Sequence, residues 1–275
     1  MKILVPFDFS EEALHSLGLG SEMANQLNYK LKILHCLNLP DFSYGDPGKI
    51  KAFRKDLSQE AMISLKSIVK GLNDRLVDVD IEINEGSASA NILKATFERD
   101  IRYTIMGFKK RMIPDKIGST TRDLLRYANG SIFCLKNELP LKSIKNILLV
   151  TDFTGVPAKA MENIILLQKL NNARLDLLYI NTRENWLSTK DTHNKMKVFC
   201  KTHDLKNTAL DIVNDETVEL GVLDKLMTTK VDLIAIKINK SSDKIHITDT
   251  HLSAERIIEN TDIPVLTYAH TSIYQ

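Results

Sequence analysis

The chain has no uninterrupted apolar run near the roughly 20 residues that a membrane span needs, so no membrane-crossing helix is expected. It has no excess of one charge either: 37 Lys and Arg stand against 35 Asp and Glu, a formal net charge of +2. General nucleic-acid binders and membrane-surface binders carry a marked basic excess, and both classes are set aside on that ground. Cysteine is scarce. Cys36, Cys134 and Cys200 are an odd number, far apart, and the first two sit in apolar runs. No disulfide framework fits, and a reducing, cytoplasmic compartment is the expectation. The start, MKILVPFDFSEEA, turns acidic too early and lacks the small-residue cleavage site of a signal peptide; it reads as a first strand. Also missing are G-x-S-x-G, H-E-x-x-H and the P-loop G-x4-G-K-(S/T), so no tuned active site is read.

What is present is a pattern written twice. Short β-branched runs at 2–7, 31–37, 77–83, 102–106 and 131–136 alternate with segments of helical spacing, such as 10–28 and 51–72. Strands alternating with helices imply an open, mainly parallel sheet covered on both faces. After a polar stretch with Pro140 at 137–143, which reads as a short linker, the order restarts. KNILLVTDFTG (145–155) echoes KILVPFDFSEE (2–12), and further strands follow at 173–181, 207–214, 231–237 and 263–268. The reading is two α/β domains, 1–140 and 141–275, each with five strands. Units of this size are duplicated domains and not the shorter repeats of a solenoid.

Each first strand runs into Asp-Phe-(Ser/Thr): Asp8-Phe9-Ser10 and Asp152-Phe153-Thr154. Ligands of open parallel sheets sit beyond the carboxyl ends of the strands, where a carboxylate can accept from ribose hydroxyls. The plainer reading is helix initiation, with Ser10 and Thr154 as N-caps and the aspartates favoured by the helix dipole. A second candidate is the stretch Gly107–Thr120, which has a glycine at a strand end, a loop with Lys109, Lys110, Arg111 and Lys116, and Gly118-Ser119-Thr120 opening a helix. Unpaired first-turn amides and two hydroxyls would suit an anion. The plainer reading is a solvated basic turn with Ser119 as N-cap.

These segments resemble the universal stress protein family in its tandem form. The resemblance lies in KILVPFDFSEEAL, ILHCL, EGSASANIL, IMG and GSTTRDLLRYANGSIFCLK, and again in NILLVTDFT, LDLLYI, VDLIAIK and SAERIIENTDIPVLTY. It implies sheets with flavodoxin-like or Rossmann-like winding. Some members of the family bind ATP and others do not; the binders carry G-x2-G-x9-G-(S/T). Here Gly107 fits the first position, Lys110 stands at the second, and Gly118-Ser119 comes two residues early. By resemblance, Asp8 would face the ribose and Cys36 the adenine. Gly107, Lys109, Lys110, Gly118, Ser119 and Thr120 would hold the phosphates of ATP with its Mg²⁺. In the second half Lys237 replaces Gly107, and no family-type triphosphate site is expected. The resemblance also implies self-association through the fifth strands, within one chain or between two. The expected role is a regulator or adaptor binding an adenine nucleotide. The alternatives are a scaffold that binds none and, third, a slow ATP hydrolase.

Four other features have plainer readings. His193, Cys200 and His203 offer zinc-like spacing, but a structural site needs four ligands, and His246 and His251 lie in another loop. His35, in an apolar strand, is expected to bond to backbone. Trp186 is expected to pack. The stretch 41–49, with Gly45, Pro47 and Gly48, reads as a long loop, either a lid or a simple connection.

Overall fold

The computed structural model describes residues 1–39, 46–72, 78–108, 118–238 and 250–269, and within the last stretch the side chains of 254–268. The first half runs β1 (Lys2–Pro6), α1 (Glu11–Leu27), β2 (Lys30–Leu37), α2 (Pro47–Gly71), β3 (Val79–Glu85), α3 (Ala88–Thr96), β4 (Ile101–Gly107), α4 (Ser119–Tyr127) and β5 (Ser131–Leu135). The second runs β6 (Asn146–Val150), α5 (Ala158–Asn171), β7 (Arg174–Asn181), α6 (Thr189–Thr202), β8 (Thr208–Asn214), α7 (Val218–Thr228), β9 (Leu233–Ile238), α8 (Thr250–Asn260) and β10 (Val265–Ala269). All ten strands form one sheet in the order β3-β2-β1-β4-β5-β10-β9-β6-β7-β8. Each half is therefore wound 3-2-1-4-5, the Rossmann-like of the two expected orders, with its reversal between the first and fourth strands.

Pairing is parallel everywhere except at the seam, where β5 and β10 run antiparallel with Phe133 opposite Leu266. Alternation along the strands divides the core into two layers. Ile3, Val5, Ile33, Tyr103 and Ile105 face α1 and α2, whereas Leu4, Leu34, Met106 and Ile132 face α3 and α4. The connection between the halves is not a free polar linker. Leu141 and Ile144 are fully buried, and the Leu141 amide donates to the Glu22 carboxylate at 2.7 Å.

The two halves superpose in register, with 144 residues separating equivalent positions through the first two strands. Both first helices end on an asparagine in the left-handed region, Asn28 (φ 54°) and Asn172 (φ 47°). They differ where they start. Helix α1 begins at Glu11 with Ser10 as N-cap, accepting from the Ala13 amide at 3.2 Å. Helix α5 begins one turn later, after Pro157, with no side-chain cap. Thr154 is therefore not the N-cap that its spacing suggests: Gly155, in the left-handed region at φ 54°, Val156 and Pro157 stand between it and the helix.

Two glycines let α1 approach the sheet closely, and the second of them bears on where the helix starts. A Cβ on Gly20 would stand 2.8 Å from Val5 Cγ2, and a Cβ on Gly107 would stand 2.3 Å from the Glu12 carbonyl oxygen. The second half has Ile164 and Lys237 at those positions. The first turn of α1 lies directly against the end of β4, and only glycine there permits it.

Other expectations are corrected. Trp186 does not pack; it is 67% exposed. Residues 46–49 belong to no loop: Asp46 caps α2, accepting from the Lys49 amide at 2.9 Å, and Pro47 opens the helix. The rest of that stretch, up to residue 45, lies outside the described residues.

Candidate functional site

The topological reversal between β1 and β4 leaves a crevice at the carboxyl ends of the first-half strands. A cleft of about 190 Å³ sits there, lined among others by Asp8, Ser10, Cys36, Gly107, Thr120 and Thr121. Its floor is apolar, from Leu34, Ile92 and Met106. Residues more than a hundred positions apart are thus brought to one corner. Of the expected site residues, Asp8, Cys36, Gly107 and Thr120 line the cleft. Gly118 and Ser119 stand beside it at the start of α4, and Lys109 and Lys110 lie outside the described residues, as do Arg111 and Lys116.

Asp8 is exposed and lies just past β1. Its Oδ1 accepts from the Ser10 amide at 3.0 Å and from the Ser10 hydroxyl at 2.5 Å. This small turn holds Phe9 at φ 64°, a left-handed conformation that costs a bulky residue energy. Edge contacts offset that cost: the Phe9 ring meets Phe7 at 5.2 Å and His35 at 4.9 Å between centroids. His35 Nδ1 lies 2.7 Å from the Phe7 carbonyl, the backbone bond expected of it. Asp8 is therefore neither a helix cap nor committed in full. Its Oδ1 organises the turn, and no described hydrogen bond uses its Oδ2.

Cys36 is half-buried at the end of β2. Burial, with a smaller contribution from Glu82, pushes its thiol pKa up, so it stays protonated near neutral pH and is not a reactive thiolate. Helix α4 has Gly118 as its N-cap, which offers no side-chain bond to the first-turn amides; Ser119 is the first helical residue and not the cap expected of it. Thr120 and Thr121 turn hydroxyl-bearing side chains toward the cleft from this uncapped turn. Sequence reasoning took Ser10 only as a cap and passed over Ile92 and Met106. Ile92 lies on α3 and Met106 on β4, and their place on the floor follows from the strand order, which spacing does not reveal.

The second half repeats the turn with different residues around it. Asp152 accepts from the Thr154 amide at 2.9 Å and from its hydroxyl at 2.8 Å, and Phe153 sits at φ 63°. Here Lys237 occupies the corner. Its ammonium donates to the Thr154 carbonyl at 2.8 Å and lies 3.6 Å from Asp152 Oδ1, with its side chain only 11% exposed. Ile180 stands where Cys36 does in the first half. A cation and an apolar residue thus stand where the first half has Gly107 and Cys36.

Among the described residues, no group of three or more His, Cys, Asp or Glu comes together as metal ligands do. His193 Nδ1 lies 2.8 Å from the Thr189 carbonyl, one turn back on its own helix. His203 leans on Phe199 at 4.6 Å, and burial lowers its pKa. His246 lies outside the described residues. No described helix is long and apolar enough to cross a membrane.

A model of the universal stress protein family matches residues 1–136. Among solved structures, a universal stress protein from Archaeoglobus fulgidus is similar over 98% of both chains, with a TM-score of 0.79 at 16% identity. A functionally unknown protein from Pseudomonas aeruginosa is similar over 98% of this chain and 92% of its own, with a TM-score of 0.63 at 15% identity. The cytoplasmic domain of a prokaryotic cation chloride cotransporter is similar over 97% of this chain and 94% of its own, with a TM-score of 0.55 at 14% identity. No curated protein matches the sequence. At such identities the structural likenesses concern the fold, and they span both halves.

Proposed function

The first half of the chain belongs to the universal stress protein family and the second repeats its fold; from that premise we propose that the protein is a regulator whose first half binds an adenine nucleotide and whose second half does not. The observation that carries this reading is the contrast between the two corners. One is a cleft at the strand-order reversal, with a carboxylate on one rim and an uncapped helix start on the other. The other has its own lysine seated between Asp152 and the Thr154 carbonyl.

In this reading Asp8 accepts from the ribose hydroxyls, using the oxygen that the Ser10 turn leaves over. The adenine lies toward the end of β2, against Cys36. The phosphates reach the first-turn amides of α4 and the Ser119 and Thr120 hydroxyls, where the helix dipole favours negative charge. Lys109 and Lys110 would add positive charge from the neighbouring segment. Mg²⁺ would enter with the phosphates and neutralise part of their charge. At about 190 Å³ the cleft fits the nucleoside end better than a whole triphosphate, since pockets for ligands of that size usually exceed about 300 Å³. In this reading the phosphate end lies along the rim, toward the start of α4.

Titration calorimetry with ATP and Mg²⁺ tests this directly. Saturable heats are expected from the full chain, at least about tenfold weaker binding from Asp8→Ala (a loss of about 1.4 kcal/mol) and no change from Asp152→Ala. Baseline heats at millimolar ligand would remove the nucleotide and leave the scaffold reading, which the β5–β10 pairing favours on its own. Phosphate release lost in Asp8→Ala would instead support slow hydrolysis.

A further inference from the structure

The helices that flank the seam carry opposite charges at equivalent positions. Equivalence is set by register. Thr104 pairs with Ile132, and Ile234, the counterpart of Thr104, pairs with Val265. Counting back equally from Ile132 and Val265 aligns α4 with α8, so that Arg122-Asp123-Leu124-Leu125-Arg126 matches Glu255-Arg256-Ile257-Ile258-Glu259. The two apolar positions agree and are buried in both halves. All three charged positions are inverted.

The inverted charges meet. Glu255 is 7% exposed and takes Arg126 Nε at 3.1 Å and Arg122 Nε at 3.8 Å. Each middle position turns to its own half: Asp123 accepts from the Ser89 hydroxyl at 2.6 Å, and Arg256 lies 3.4 Å from Glu219. Just beyond, Lys136 at the end of β5 donates to the Glu259 and Thr261 carbonyls at 2.9 and 2.6 Å, closing the carboxyl end of α8.

A domain that pairs with its own copy brings like against like across a twofold axis. Two first-half faces would set Arg122 and Arg126 against the same arginines. Two second-half faces would set Glu255 and Glu259 against the same glutamates. Only the mixed pairing brings opposite signs together, and with Glu255 buried the contact is screened less than a surface pair. Like charges facing one another discriminate against a wrong partner more strongly than the matched pair stabilises the right one.

We propose that this charge inversion is a pairing code: the first-half seam accepts a second-half seam and rejects a second copy of itself. The kind of partner that fits the Arg122/Arg126 face is thereby defined as a helix with glutamates four residues apart preceding an edge strand that pairs antiparallel. The inference does not rest on nucleotide binding.

The test uses full-length chains. Arg122→Glu with Arg126→Glu leaves four acidic side chains at the seam, and Glu255→Arg with Glu259→Arg leaves four basic ones. Each double variant is expected to melt about 5 °C or more below the parent in low salt, with the deficit shrinking by at least half in 1 M NaCl. The fourfold exchange restores opposite signs and is expected to recover at least half of the deficit. Unfolded together and refolded, the acidic-seam and basic-seam chains are expected to form a two-chain species by light scattering that neither forms alone. Arg122→Gln with Arg126→Gln separates charge from shape and is expected to lose less than half as much as the acidic double. Double variants that melt with the parent, a fourfold exchange as unstable as either double, or a deficit indifferent to salt would each overturn the code.

Discussion

The two halves of this chain share a winding order, a strained Asp-Phe-(Ser/Thr) turn and a left-handed asparagine at the end of the first helix, yet the corner beside that turn is lined differently in each. The difference traces to one backbone position. Glycine at 107 lets the first turn of α1 lie against β4 and keeps the corner clear of side chain. Lysine at 237 goes with a helix that starts one turn later and with an ammonium seated on the Thr154 carbonyl. A repeated domain can thus change this corner without losing its fold, because the core strands and the corner use different residues.

The sharpest way to break that comparison is to give the first half the second half's side chain. Gly107→Lys should cost about 3 kcal/mol in urea unfolding, since its Cβ collides with a helix carbonyl rather than a movable side chain. A variant as stable as the parent would show that the close approach of α1 does not require glycine.

Next in size is an ion cluster found in the first half alone. Lys32, buried in β2, pairs with Glu82 at 2.7 Å and Glu98 at 2.6 Å; its counterpart is Asp176, which pairs with Arg174 near the surface. Burial opposes the charge of Lys32, but the two carboxylates outweigh it and raise its pKa above 10.5. The hydrogen bond from Lys32, against some burial, lowers that of Glu82 below 4.5. The Glu82 contribution is therefore present above 4.5 and lost as pH falls through its depressed value. The Lys32 contribution is present below 10.5 and lost as pH climbs through its raised value. Lys32→Met should cost about 1–2 kcal/mol at neutral pH and flatten the acid limb of a stability–pH curve. Arg174→Met should leave that limb unchanged.

Tyr103 is a smaller asymmetry. Its buried hydroxyl donates to the Asn163 carbonyl across the halves at 2.8 Å, whereas the equivalent residue is Leu233. Tyr103→Phe should cost about 1 kcal/mol, or roughly 3 °C in the melting temperature. The smallest expected effect is at Lys237. Because Asp152 is substantially exposed, Lys237→Met should shift stability by less than about 1 kcal/mol. A larger loss would mean that the lysine holds the turn together and does not merely fill the corner.

Much of this was legible in the sequence. The strand positions, the duplication and the two aspartate turns follow from alternation and from repeated residues, because buried strands must be apolar wherever they occur. The cleft was legible only as separate residues: Asp8, Cys36, Gly107 and Thr120 are far apart, and the strand order that joins them is not written in spacing. The role of Gly107 was half visible. Its place at a strand end could be read, but not that the Glu12 carbonyl lies against it. Thr154 and Ser119 look like caps because their chemistry suits one, yet each helix start is decided by what it packs against. Trp186 was misread because tertiary position, not residue type, determines burial.

The seam has a consequence in time. Strand β5, every residue of which is buried, finds its antiparallel neighbour only when β10 exists. At ribosomal speeds of about 5–20 residues per second, the roughly 130 intervening residues take about 7–26 s to appear. Throughout that interval the nascent front half carries a bare, hydrophobic strand, the kind of edge on which chains stick to one another. Any truncation upstream of Val265 would make that passing exposure permanent.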